Sequence, residues 1–154
     1  MNKTEKNGIL GELAVKAYIA RCGWEWLEGG SRDSKYDLMV VMDDNKTESV
    51  QVKTFTSGST FPKIVDRSGE RVSHNGKTRN STDYAKHGID WMVGVHLIDD
   101  DPDNPKSKCY FYRLETYKQI SGKTIHIKNN PPDEFPRKKD EKKVDESSNL
   151  TKFI

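Results

Sequence analysis

The chain has too little cysteine to be built on it. Two occur in 154 residues, Cys22 and Cys109, far apart and at no zinc-binding spacing. That excludes a disulfide scaffold and a zinc module, and predicts two reduced thiols in a cytoplasmic protein. Long apolar runs are missing as well: no stretch suffices to cross a bilayer, and the start carries no signal-peptide pattern. Nor is there an excess of one charge. Lys and Arg number 26 against 24 Asp and Glu, a net charge of +2, so bulk attraction cannot hold a polyanion. Hydrophobic residues make up only 32%, no more than the charged ones, which is lean for a core and leaves part of the chain for loop, tail or partner contact. Internal repeats are absent. The length predicts one domain over residues 1–130, followed by a charged tail or helix over 131–154.

What is present reads as an α/β chain. Residues 1–22 carry an apolar stripe at helical spacing (Ile9, Leu10, Leu13, Ala14, Ala17, Tyr18), with Thr4 as the expected N-cap and Gly23 as a stop. Trp24–Leu27 is a short strand or turn. A hairpin is expected over Tyr36–Thr54, turning at Asp43–Lys46. After it comes a long polar stretch from Thr56 to Lys86 in which Asn75-Gly76 is a hairpin-turn signal. Further strands are expected at Ile89–Ile98, Cys109–Arg113 and Thr124–Ile127, with a short helix over Leu114–Ile120. The architecture predicted is an N-terminal helix packed on a mixed central sheet, with an inserted basic loop or ribbon. Trp24, Trp26 and Trp91 read as core aromatics, and His96 and His126 as packing or hydrogen-bonding residues.

One hairpin strand breaks the apolar pattern. In Val50-Gln51-Val52-Lys53-Thr54, alternation puts Gln51, Lys53 and Phe55 on one face and Val50, Val52 and Thr54 on the other. If the hairpin is centred on Asp44, Asp37 lies opposite Gln51 and diagonal to Lys53, and directly opposed Cβ atoms are about 5 Å apart. A slip of one residue flips every side chain and dissolves the cluster. An acid, an amide and an ammonium converging in this way suit phosphodiester hydrolysis, which needs a hydroxide, neutralised phosphate charge and help for the leaving oxygen, most of it supplied by a carboxylate-held divalent metal. Asp37 is the expected ligand, the Val52 carbonyl a second, Gln51 a neutral oxygen donor, and Lys53 the group that orients or deprotonates water or holds a phosphate oxygen. Glu12, on the first helix, completes the shell if that helix packs over the hairpin. The ordinary alternatives are a surface ion pair between Glu12 and Lys16, and a solvated sheet face for Asp37, Gln51 and Lys53.

Glu12 on the first helix, Asp37 on one strand and Gln51-Val52-Lys53 on the next resemble the PD-(D/E)XK nuclease superfamily. The Gln-x-Lys variant, the size and the Ile89-Asp90-Trp91 strand are most similar to its group I intron-encoded homing endonucleases. The similarity spans roughly Gly8 to Ile127. Tyr36 stands where the superfamily name has proline, and Gln51 where it has an acid. The resemblance implies a restriction-endonuclease-like core, Glu12 and Asp37 as metal ligands, Gln51 as a polar active-site ligand, Lys53 as the catalytic lysine, and Mg2+ as cofactor with Mn2+ able to substitute. It also implies a phage- or intron-encoded origin.

The activity expected is site-specific cleavage of double-stranded DNA. One lysine motif per chain implies a homodimer or higher homo-oligomer for cutting both strands. Lys63, Arg67, Arg71, Lys77 and Arg79, directly downstream of Lys53, are the expected DNA contacts. A Holliday-junction resolvase, a restriction-type nuclease and a catalytically inactive DNA-binding module are the rival readings. His74, Asn80 and His87 fit an HNH metal finger poorly, because their intervals are short.

Overall fold

The computed structural model describes residues 1–29, 36–56, 60–62, 70–72, 78–80 and 88–138. Helix α1 (Lys3–Arg21) leads into β1 (Glu25–Glu28), β2 (Leu38–Val41), β3 (Thr47–Phe55), β4 (Thr60–Pro62), β5 (Glu70–Val72), β6 (Thr78–Asn80), β7 (Trp91–Asp99), β8 (Lys106–Arg113), helix α2 (Leu114–Gln119) and β9 (Thr124–His126). The central sheet has five strands in the order β1-β2-β3-β7-β8. Only β3 and β7 run parallel; the other neighbours are antiparallel, so the sheet is mixed as expected. Two small ribbons, β4–β9 and β5–β6, complete the described strands. Among the described residues no helix is long and apolar enough to cross a membrane.

The β2–β3 hairpin has the register that centring on Asp44 predicts: Leu38 opposes Val50 and Val41 opposes Thr47. Its turn is a short 3-10 segment, Asp43–Asn45, in which Asp44 and Asn45 both have φ 58. Asp and Asn tolerate that left-handed conformation better than other non-glycine residues.

Helix α1 differs from expectation in two respects. Its cap is Asn2 rather than Thr4. The Asn2 side chain accepts from the Glu5 amide at 2.9 Å while Glu5 accepts from the Asn2 amide at 3.2 Å, a reciprocal box that satisfies two otherwise orphaned donors. Its fully buried residues are Gly11, Val15 and Ile19; of the expected stripe Leu10, Ala14 and Tyr18 pack against the core, while Ile9 and Leu13 stay 47% and 53% exposed. The reason is steric. A Cβ at Gly11 would lie 1.9 Å from Thr54 Cγ2, so the helix meets β3 most closely at its glycine and turns that face inward. Mid-helix glycine costs about 1 kcal/mol relative to alanine, which close approach to β3 offsets.

The sheet buries apolar side chains on both faces. On the α1 side lie Val15, Ile19, Leu38, Val40, Val50, Val52, Trp91, Val93, Val95 and Phe111. On the other lie Phe55, Phe61, Ile89, Met92, Tyr112, Tyr117, Ile120 and Ile125. Strand β7 is accordingly buried without a break from Trp91 to Val95. Trp24 and Trp91 are core residues, and His96 stacks on Phe55 with ring centroids 4.9 Å apart. Both cysteines are free thiols, and burial pushes that of Cys109 up to about 12.

Residues 131–138, assigned to the tail by composition, pack against the domain. Phe135 is 2% exposed, with its ring centroid 4.5 Å from that of Phe111. The Trp24 indole donates to the Pro136 carbonyl at 2.9 Å, and the Lys138 amide donates to the Cys22 carbonyl at 2.9 Å. The remainder of the expected tail, 139–154, lies outside the described residues. Replacing Phe135 by Ala is expected to cost about 3–5 kcal/mol, as for other buried aromatics. Urea unfolding monitored by tryptophan fluorescence checks this, and an unchanged midpoint would show that 131–138 is not part of the folding unit.

Candidate active site

Strand β3 outruns β2. Pairing stops at Leu38–Val50, while β3 continues to Phe55. Where β2 ends, Asp37 takes over: its Oδ2 accepts from the Val52 amide at 2.7 Å. The Asp37 backbone is held on both sides, its amide donating to Val50 at 2.8 Å and its carbonyl accepting from Gly29 at 2.9 Å. A Cβ at Gly29 would lie 2.6 Å from the Tyr36 carbonyl oxygen and 2.9 Å from that of Asp37, so only glycine admits this approach. The N–H and C=O of one strand residue project to the same edge. The Val52 carbonyl therefore points to the edge that Asp37 occupies.

Helix α1 carries Glu12 to the same place. Gly11 sits on β3 against Thr54 and Val52, so the next residue overhangs the β2–β3 divide. The Glu12 and Asp37 carboxyl groups lie within hydrogen-bonding reach of one another. Burial, then the charge of Asp37, raise Glu12 above the usual carboxylate range, while Lys16 opposes the shift. Asp37 is raised by burial, partly offset by the Val52 amide bond and then by the charge of Lys53. The alternative Glu12–Lys16 surface pair is not the arrangement found: the Lys16 ammonium is bonded to Glu28 on β1, across the gap between helix and sheet.

Lys53 is exposed and its charge reaches Asp37; Gln51 is half-buried on the same β3 face, which Phe55 also shares. The Gln51 side chain makes no hydrogen bond to another described residue. The structure thus sets Glu12 beside Asp37 and the Lys53 charge within reach of Asp37, with the Val52 carbonyl on the same edge, while Gln51 and Lys53 project from the β3 face opposite α1. Among the described residues no group of three His, Cys, Asp or Glu side chains is gathered for a metal. The available donors are two carboxylates, an amide oxygen and a backbone carbonyl, an all-oxygen set of the kind that hard divalent cations take. Two acids pressed together, both raised by burial, fit a cation that would neutralise them.

Of the expected DNA contacts, Arg71 and Arg79 are register partners across the β5–β6 ribbon. Lys63, Arg67 and Lys77 lie outside the described residues, as do His74 and His87. Sequence reading missed Gly29, whose Gly-Gly context marked only a loop. It also missed Ser49 and Asp90, a pair far apart in the chain: the Ser49 amide donates to Asp90 Oδ2 at 2.9 Å and the Asp90 amide to the Ser49 carbonyl at 3.1 Å.

Compared with protein-family models and with curated proteins, the sequence matches none. A solved structure does match. The fold is similar to that of a bacterial homing endonuclease. The match, to I-Ssp6803I, has a TM-score of 0.52 and 17% identity, and covers 97% of this chain and 88% of that one. At that identity it establishes the α/β architecture of a helix on a mixed five-stranded sheet.

The raised carboxyls have a consequence for the metal-free protein. The native state keeps protons on Glu12 and Asp37 at pH values where the unfolded chain has released them, so stability falls as pH rises above the ordinary carboxylate range. Asp37→Asn retains an acceptor for the Val52 amide and removes a buried charge. It is expected to raise the melting temperature by a few degrees at pH 7 in chelator and to flatten the pH dependence between about 4 and 7. Thermal melts across that range check this; a variant less stable than wild type at pH 7 contradicts it.

Proposed function

We propose that this chain is a divalent-metal-dependent endonuclease that hydrolyses phosphodiester bonds in double-stranded DNA at a specific site, as a homing endonuclease of the PD-(D/E)XK type. The observation that carries the reading is the Glu12–Asp37 carboxyl pair at the β2–β3 divide, within reach of the Lys53 charge. The likeness of the fold to a bacterial homing endonuclease supports it.

In this reading Glu12, Asp37 and the Val52 carbonyl would hold Mg2+ or Mn2+, with Gln51 as a neutral oxygen donor beside them. The ion would supply Lewis-acid stabilisation of the phosphate and a more acidic water. Lys53, on the exposed end of β3, orients the attacking water or holds a phosphate oxygen as a point charge. The Val52 amide fixes the Asp37 carboxylate, leaving its other oxygen for the ion. Gln51 in place of an acid keeps an oxygen while lowering the negative charge of the site. Arg71 and Arg79, register partners on the β5–β6 ribbon, would meet the duplex backbone. With one such site per chain, cutting both strands calls for a homo-oligomer whose symmetry matches the target.

Purified protein incubated with plasmid, phage DNA and a synthetic four-way junction is expected to cut linear duplex in Mg2+ and nothing in chelator. Lys53→Ala and Asp37→Ala should each lower the cleavage rate by at least about 10²-fold while DNA binding in Ca2+ persists. Cutting that survives both changes removes the mechanism, preference for the junction makes the protein a resolvase, and binding without cleavage under any metal makes it an inactive DNA-binding module.

A further inference from the structure

Lys53 does not stand alone on its face of the sheet. In one row across the strands Lys53 of β3 pairs with Gly94 of β7, and Gly94 with Tyr110 of β8; in the next row Phe55 pairs with His96, and His96 with Lys108. Both rows lie on the face opposite α1. Phe55 and Tyr110 belong to the core cluster of that face. The His96 ring stacks on Phe55, with centroids 4.9 Å apart and 9° between the planes, and the Lys108 ammonium lies over the Tyr110 ring, 5.5 Å from its centroid. Lys53 and Lys108 are exposed and His96 is half-buried. Neighbouring strands are about 4.8 Å apart and every second residue of a strand about 7 Å, so the backbones at Lys53 and Lys108 lie roughly 12 Å from one another, with His96 between them.

The floor between the two lysines is aromatic. Phe61 lies against Gly94, where a Cβ would come within 2.8 Å of its ring, and stacks on Phe55 with centroids 5.1 Å apart. Neither row carries a carboxylate, in a chain that holds 24 Asp and Glu against 26 Lys and Arg. The acid of β3, Glu48, is turned to the α1 side, where it accepts from the Trp91 indole. A face that gathers cations and hydrogen-bond donors and keeps acids off raises the local potential of a nearly neutral molecule, which suits a polyanion. Lys53 joins this face to the candidate site, because its charge also reaches Asp37 at the strand edge. We propose that the two rows are the track of the DNA backbone beyond the scissile phosphate, with Lys53 at the cut, Lys108 holding a phosphate further along, and the His96 imidazole donating to the backbone between them. This rests on the endonuclease reading above and names the surface on which its substrate lies.

The test measures the affinity of the full-length protein in Ca2+ for two synthetic duplexes of unrelated sequence over a range of salt concentrations. Lys108→Gln is expected to lower the slope of log affinity against log salt by about 0.9, the value for one lost phosphate contact, and so to weaken binding about eightfold at ~0.1 M salt on both duplexes alike. Lys108→Met, which keeps an apolar stem over Tyr110, should show the same loss, and Lys108→Arg should keep the slope of the wild type. His96→Phe retains a ring to stack on Phe55 and removes the donor; it should weaken binding about fivefold with little change of slope. Lys46→Gln, an equal loss of charge at the β2–β3 turn, should leave the slope where it was. A slope unchanged in both Lys108→Gln and Lys108→Met, or lowered as much by Lys46→Gln, overturns the inference. If the wild type still binds and cuts duplex, that result leaves the endonuclease reading standing. Wild-type protein that neither binds nor cuts duplex removes both.

Discussion

The contact on which the site depends is a single hydrogen bond, from the Val52 amide to the Asp37 carboxylate at 2.7 Å. A strand that outlasts its neighbour leaves backbone donors and acceptors facing nothing, and a buried unpaired amide is costly. Here the residue just before β2 supplies the missing acceptor from its side chain. The sheet thereby ends without an orphan at Val52, and the carboxylate is fixed beside the edge of β3 that β2 leaves open. Stability of the hairpin and placement of the candidate ligand are the same interaction.

The helix completes this arrangement through a glycine. Gly11 lets α1 settle on β3 at Thr54, and the residue after it then meets Asp37 across the divide. Burial raises both carboxyls, and the charge of Asp37 raises Glu12 further, while the hydrogen bond with Glu12 lowers Asp37. Such opposition between local stability and local chemistry is common at functional sites, where like charges are held together for a ligand that is not part of the fold. The Lys16–Glu28 bond ties α1 to β1, and Gly29 lets the end of β1 approach the Asp37 backbone closely.

Burial on both faces of β7 shapes the remainder. With α1 covering one face, Phe61 of β4 together with Tyr117, Ile120 and Ile125 covers the other, and Phe61 lies against Gly94, the register partner of Lys53.

Much of the local order was legible in the chain. Alternation of β-branched residues marked β3, a centre at Asp44 set the hairpin register, and the helix and most strands followed from periodicity and their stops. These are short-range features, fixed by residues a few positions apart, and they sufficed to set the hairpin register that ends at Leu38–Val50, next to Asp37. The rest was not legible because it depends on which surfaces meet. On α1 the closest approach is Gly11 against Thr54, which leaves Ile9 and Leu13 of the apolar stripe exposed while Leu10, Ala14 and Tyr18 pack on the core. Residues 131–138 looked like tail because they are polar on average, yet one phenylalanine finds a site among Trp91 and Phe111. Gly29, Gly94 and the Ser49–Asp90 pair carry no signal of their own, since a glycine's lack of a side chain and a bond across some forty residues acquire meaning only when the partner arrives. The sequence by itself determined the strands, the turn and the residue types able to do the chemistry. Tertiary structure decided which of them share a cleft, because close approach between elements is set by three-dimensional volume, which no one-dimensional pattern encodes.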